Sequence, residues 1–198
     1  MNLDNWIQAF FKSLKELEDQ TCSKSDSEWT QFIGCVINSV AEKVDCYAAM
    51  RRSHPNNGEY SGEYLNIDAI FIPEAFYDSK WEKGRSKDWD PFVLPAVAIE
   101  FENSYDYSKI MYCIWKMICL RTSLRVLISY QANAENVVLL KTYVEKEISK
   151  RKLMEGEKGD LLIIIGDDTK GDEITWEEYF KIFLWKGQKL NEYQAALR

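Results

Sequence analysis

Apolar positions open the chain with a helical period. Trp6, Ile7, Phe10, Phe11 and Leu14 recur at three-to-four spacing within 3–17 and leave a Lys/Glu face to solvent, which predicts an amphipathic helix. Residues 22–28 are polar and supply N-cap candidates for a second helix. That helix buries Trp29, Phe32, Ile33, Val36, Ile37 and Val40, with Glu42 near its end and off the apolar stripe. From Val44 the period changes. Residues 45–51 read as a strand, the Pro/Asn/Gly-rich 53–62 as a turn, and 63–72 as the next strand, closed by Pro73. Asp68 interrupts that second strand. A buried, unpaired carboxylate is costly, so Asp68 requires a partner, a proton or an exposed end.

Residues 74–94 form a long connection in which aromatics interleave with Lys80, Lys83, Arg85 and Lys87. Such a loop either folds over its own domain or acts as a basic arm on phosphates, with Trp81 or Trp89 available for stacking. Residues 95–104 predict a third strand with Val97, Ile99 and Phe101 on one face and Glu100 and Glu102 on the other. Ser104 and Asp106 offer caps for a helix to about 121, with Ile110, Cys113, Ile114, Met117 and Leu120 as its buried stripe. Strand 124–130, helix 134–154, strand 160–166 and a last aromatic-rich helix over 176–193 complete the pattern. The order α-α-β-β-β-α-β-α-β-α predicts an α/β fold with a mixed central sheet flanked by helices.

Composition narrows the function classes. A chain of 198 residues with 46% hydrophobic residues suits one buried domain, 1–198. No apolar run approaches the length of a membrane span and Met1 to Asn5 lacks a signal-peptide layout, so the expectation is a soluble, cytoplasmic protein. Five cysteines without Cys-x-x-Cys spacing read as reduced thiols, and the single His54, in a turn sequence, excludes zinc sites that need two imidazoles. The net charge of −7 argues against coating nucleic acid nonspecifically while leaving room for a local basic groove.

The candidate chemistry centres on Glu100 and Glu102. Two carboxylates at one strand end repel each other unless a cation sits between them; otherwise they mark a strand edge with one wet face. Lys116 bears on the choice. If the third helix folds back over the sheet, ten residues at about 1.5 Å each return it about 15 Å, a depth that about 3.3 Å per strand residue places four to five residues before Ser104. Lys116 then lies level with Glu100, its ammonium within reach of the carboxylates.

Together these features resemble the core of the PD-(D/E)xK nuclease superfamily, the restriction-endonuclease-like fold. A helix precedes an antiparallel strand trio, Asp68 stands near the end of the second strand, and Glu100-Phe101-Glu102 lies on the third. The resemblance covers roughly 29–131 and extends loosely to 166, so it implies a nuclease-like core over 26–166 between an N-terminal helix and linker, 1–25, and a C-terminal helix, 167–198. It implies Asp68 and Glu100 as ligands of Mg²⁺ or Mn²⁺, with Glu102 as a further ligand or water-orienting group. It departs from the family in two places: isoleucine precedes Asp68, and Glu102 stands where a lysine is expected. Branches with Glu-x-Glu, or with the lysine moved to the next helix, match Glu102 followed by Lys116, with Lys109 second. Glu42 matches an auxiliary acid. The implied activity is metal-dependent endonucleolytic hydrolysis of nucleic acid, DNA in the first instance, by a homodimer where both strands are cut. Two other classes stay open: an inactive domain of that fold that binds nucleic acid or protein, and an ordinary α/β interaction domain whose carboxylates bond neighbouring Lys or Arg.

Overall fold

The computed structural model describes residues 2–18, 26–50, 67–76, 94–169 and 175–193. His54, Cys22, the turn at 53–62 and most of the connection at 74–94, with its basic and aromatic residues, lie outside them. The chain divides into two compact units, Met1–Ala98 and Ile99–Arg198.

In the first unit, α1 (Leu3–Glu16) starts at Asn2, whose Oδ1 accepts from the Asp4 amide at 2.8 Å. This N-cap satisfies a donor that the first helical turn cannot bond internally. Its Trp6, Ile7, Phe10, Phe11 and Leu14 stripe is buried as predicted. It packs on α2 (Asp26–Lys43), where the Ser13 hydroxyl donates to Ser39 at 3.0 Å and Lys43 reaches Glu16 at 2.7 Å. Asp45, in a left-handed conformation (φ 53°), turns the chain into β1 (Cys46–Met50), antiparallel to β2 (Ala69–Pro73) with Ala48 opposite Phe71.

The second unit holds most of β3 (Val97–Glu102), then α3 (Tyr107–Ile118), β4 (Leu124–Gln131), α4 (Ala134–Arg151), β5 (Asp160–Asp167), the single turn α5 (Trp176–Tyr179), β6 (Phe180–Lys186) and β7 (Lys189–Glu192). β4 and β5 are parallel and joined by α4, while β5, β6 and β7 pair antiparallel. Hydrogen-bonded strand order follows the chain from β1 to β7, giving the expected mixed sheet with seven strands. β4 is buried along its whole length and β5 from Leu161 onward, as continuous apolar strands covered on both faces should be. No helix among the described residues is long and apolar enough to cross a membrane. Among the described residues Cys35, Cys46, Cys113 and Cys119 carry free thiols.

The C-terminal helix predicted over 176–193 is corrected by the structure. One helical turn, closed by a capping box between Thr175 and Glu178, gives way at Phe180 to a hairpin. Trp176, Phe180, Phe183 and Leu184 mimic a helical stripe. The segment nevertheless also alternates, with Phe180, Ile182 and Leu184 on one face and Lys181, Phe183 and Trp185 on the other. Gly187 and Gln188 both have positive φ, the geometry of a two-residue hairpin turn that matches strand twist.

Candidate functional site

Two buried charges locate α3 over the sheet. Arg125, at the start of β4, donates from Nε to the Met117 carbonyl at 2.9 Å and from Nη2 to the Leu120 carbonyl at 2.9 Å. The C-terminal end of α3 therefore covers the face of β4 that carries Arg125, Leu127, Ser129 and Gln131. The helix begins at Asp106, whose Oδ1 accepts from the Ser108 amide at 2.8 Å and from its hydroxyl at 2.6 Å. These bonds hold the Asp106 carboxyl below its ordinary range. From the last turn of α3, Lys116 extends to Glu100 of β3, with Nζ 2.9 Å from Oε2. This is the contact that the helix and strand rises predicted.

Of the two alternatives for this pair, the strand edge with one wet face does not hold at Glu100. Glu100 is 1% exposed, and α3 reaches over it through Lys116. Burying a carboxylate is tolerable only when a charge and hydrogen bonds replace water, and the Lys116 ammonium supplies the charge. Glu102, two residues on, is half-buried. Its Oε1 accepts from the Ser104 amide at 2.8 Å and its Oε2 lies 3.8 Å from the Cys113 thiol. Burial first, and then the Glu100 charge, pushes the Cys113 thiol far above its usual range, so it remains a neutral donor between the two carboxylates. Lys116 also stands 5.4 Å from the centre of the Tyr112 ring, a cation–π distance.

Of the residues singled out from the sequence, the structure brings Glu100, Glu102 and Lys116 together within the Ile99–Arg198 unit. Asp68 is half-buried in the Met1–Ala98 unit, and stands just before β2 instead of near its end. Glu42 is exposed on α2 and accepts from Asn38 Nδ2 at 3.4 Å, while Lys109 is exposed near the start of α3. Cys113 was legible only as a core position. Its spacing of three from Lys116 is the signal that it shares the carboxylates' side of the helix.

A second polar group lies where the parallel strands end. Asp168 accepts from the hydroxyls of Tyr105 at 2.8 Å and Tyr179 at 2.6 Å, tying the loop before α3 to the end of β5. Burial and then the Asp168 carboxylate push the Tyr179 hydroxyl far up, which keeps it a donor. Gln131 and Asp167, register partners at the ends of β4 and β5, are both buried. None of these residues was singled out from the sequence, because the parallel register that assembles them is not a local pattern.

Among the described residues no group of three or more His, Cys, Asp or Glu is arranged to hold a metal ion. The donor set around Glu100 is nevertheless of the right kind for Mg²⁺, which takes hard carboxylate oxygens and needs only one or two of them beside waters and phosphate oxygens. No family model matches the chain, and no curated protein matches it.

Proposed function

We propose that the chain is a metal-dependent nuclease of the PD-(D/E)xK type, with a restriction-endonuclease-like fold, that hydrolyses phosphodiester bonds in nucleic acid, DNA in the first instance. The observation that supports this most is the ion pair between Lys116 and Glu100 beside Glu102, the placement that a lysine moved to the helix requires. Glu100 and Glu102 would hold the ion, which would supply Lewis-acid stabilisation of charge on the phosphate and a more acidic bound water. Glu100 contributes a carboxylate in a site from which bulk water is excluded, where electrostatic interactions are strong. Lys116 holds that carboxylate in place before substrate arrives. Its long, rotatable stem then lets the ammonium turn from Glu100 to the negative oxygens of a phosphodiester. Glu102, fixed by the Ser104 amide and the Cys113 thiol, is positioned to orient an attacking water.

The same ion pair favours a second reading. An ammonium already neutralises Glu100, so neither an ordinary α/β interaction domain whose carboxylates bond neighbouring Lys or Arg nor an inactive domain of the nuclease fold needs a metal at that position.

One experiment separates them. Plasmid and single-stranded DNA are incubated with the protein, with Mg²⁺ or Mn²⁺ and with EDTA, beside Glu100→Gln. The nuclease reading expects metal-dependent cleavage that falls at least 100-fold in the variant while its circular dichroism is unchanged. Equal cleavage by both proteins points to a contaminant, and no cleavage by the unaltered chain selects the interaction module.

A further inference from the structure

The face of α3 turned away from the sheet is the least ordinary surface among the described residues. Tyr112 and Trp115 are 56% and 48% exposed, and their rings stack at 5.8 Å with 26° between planes. Exposed aromatic pairs cost solvation on a surface that gains nothing from them unless a partner covers them. Helical geometry puts Lys109, Tyr112 and Lys116 at spacings of three and four, hence on one stripe with Trp115 beside it. Within its 12 residues α3 carries two lysines and no carboxylate, in a chain of net charge −7. Lys116 touches both regions, with its ammonium at 2.9 Å from Glu100 and 5.4 Å from the Tyr112 ring centre.

We propose that this face binds the unpaired bases of a single-stranded nucleic acid, delivering the adjoining strand to the Glu100 site. Aromatic faces stack on bases only where the bases are not already stacked in a duplex, and this contact tolerates any sequence. Lys109, exposed on the same stripe, follows the phosphates of the same strand, while Lys116 is held by Glu100. The inference rests on the nucleic-acid reading of the Glu100 site and narrows its substrate to single strands, or to junctions that expose them. A protein partner would use the rings too, but the flanking cations and the absence of carboxylates on the helix favour a polyanion.

The test measures binding without cleavage. Fluorescence anisotropy in EDTA follows a labelled oligothymidylate, an abasic oligomer of equal length and a duplex of equal length. The unaltered protein is expected to prefer the oligothymidylate to both other probes by about tenfold or more. Tyr112→Ala and Trp115→Ala should each remove most of that preference, Trp115→Phe should retain it, and Lys109→Gln should reduce the salt dependence of all three probes. Equal affinity of the unaltered protein for the oligothymidylate and the abasic strand overturns the inference, whatever the variants do. So does loss of self-association in Trp115→Ala without any effect on oligothymidylate, which would make the face a contact between copies of the chain. Because metal is absent, binding is read apart from cleavage: preference for the oligothymidylate here, together with no cleavage in the assay with Mg²⁺ or Mn²⁺, would end the nuclease reading and leave this one standing.

Discussion

Two positive charges lie under α3, one near each end of its last turns, and they are held in opposite ways. Arg125 is wholly buried and its partners are mostly backbone: the carbonyls of Met117, Leu120 and Lys158, with Glu157 at 3.0 Å. It adds a donor to the Met117 carbonyl near the end of α3 and one to the Leu120 carbonyl just past it, and its charge suits the negative end of the helix dipole. Burial lowers its pKa, and Glu157 opposes that shift. Lys116 meets a side chain instead, and its own side chain keeps 16% exposure. A fork fixed on carbonyls cannot be exchanged for a ligand, whereas a flexible ammonium on a carboxylate can. The difference separates a charge that builds the fold from one that can take part in chemistry.

The largest test of this contrast is Arg125→Met, which removes the guanidinium donors from the carbonyls of Met117, Leu120 and Lys158. It is expected to cost about 4 kcal/mol in urea unfolding. A loss below about 1 kcal/mol would mean that water replaces the guanidinium and that the site is not closed. Lys116→Met should cost about 3 kcal/mol, since Glu100 stays buried without its cation. Adding Glu100→Gln should restore about 2 kcal/mol of that loss, because a neutral amide no longer demands a counter-charge. Additive losses in the double variant would show that the pair is not coupled.

The Cys113 thiol gives a smaller effect with a defined sign. Its pKa is raised in the folded protein, so its contribution is complete below the ordinary thiol range of about 8.5 and is lost as pH climbs above it. Between pH 8.5 and 9.5 the chain should lose about 1 kcal/mol that Cys113→Ala does not lose. Alkylation with iodoacetamide should reach exposed Cys119 well before Cys113. Glu157→Gln should change stability by only about 0.5 kcal/mol, since this partner of Arg125 is 38% exposed and the carbonyls do the holding. An effect as large as that of Lys116→Met would erase the contrast.

Local periodicity made most elements legible before the structure. The α1 and α3 stripes, the β4 and β5 runs and even the depth of Lys116 follow from rise per residue and side-chain direction, which are properties of short segments. The burial of Glu100 was not legible. Alternation says which face a residue takes but not whether a helix covers that face. The C-terminal hairpin was not legible because Phe180, Phe183 and Leu184 fit both periods, and the deciding signal was the Gly187-Gln188 turn, two residues long. The placement of Asp68 before β2 shows the same limit at an element boundary.

The hairpin carries a further consequence, for colloidal behaviour. Among the described residues β7 is the last strand in the sheet order, four residues long, with exposed Lys189 and Glu192 and with β6 as its strand neighbour. Short, charged terminal strands are poor templates for another chain's backbone. A homodimer of this protein is therefore not expected to form by continuing the sheet past β7, and the apolar strands behind it are shielded from fibril-like growth on that side.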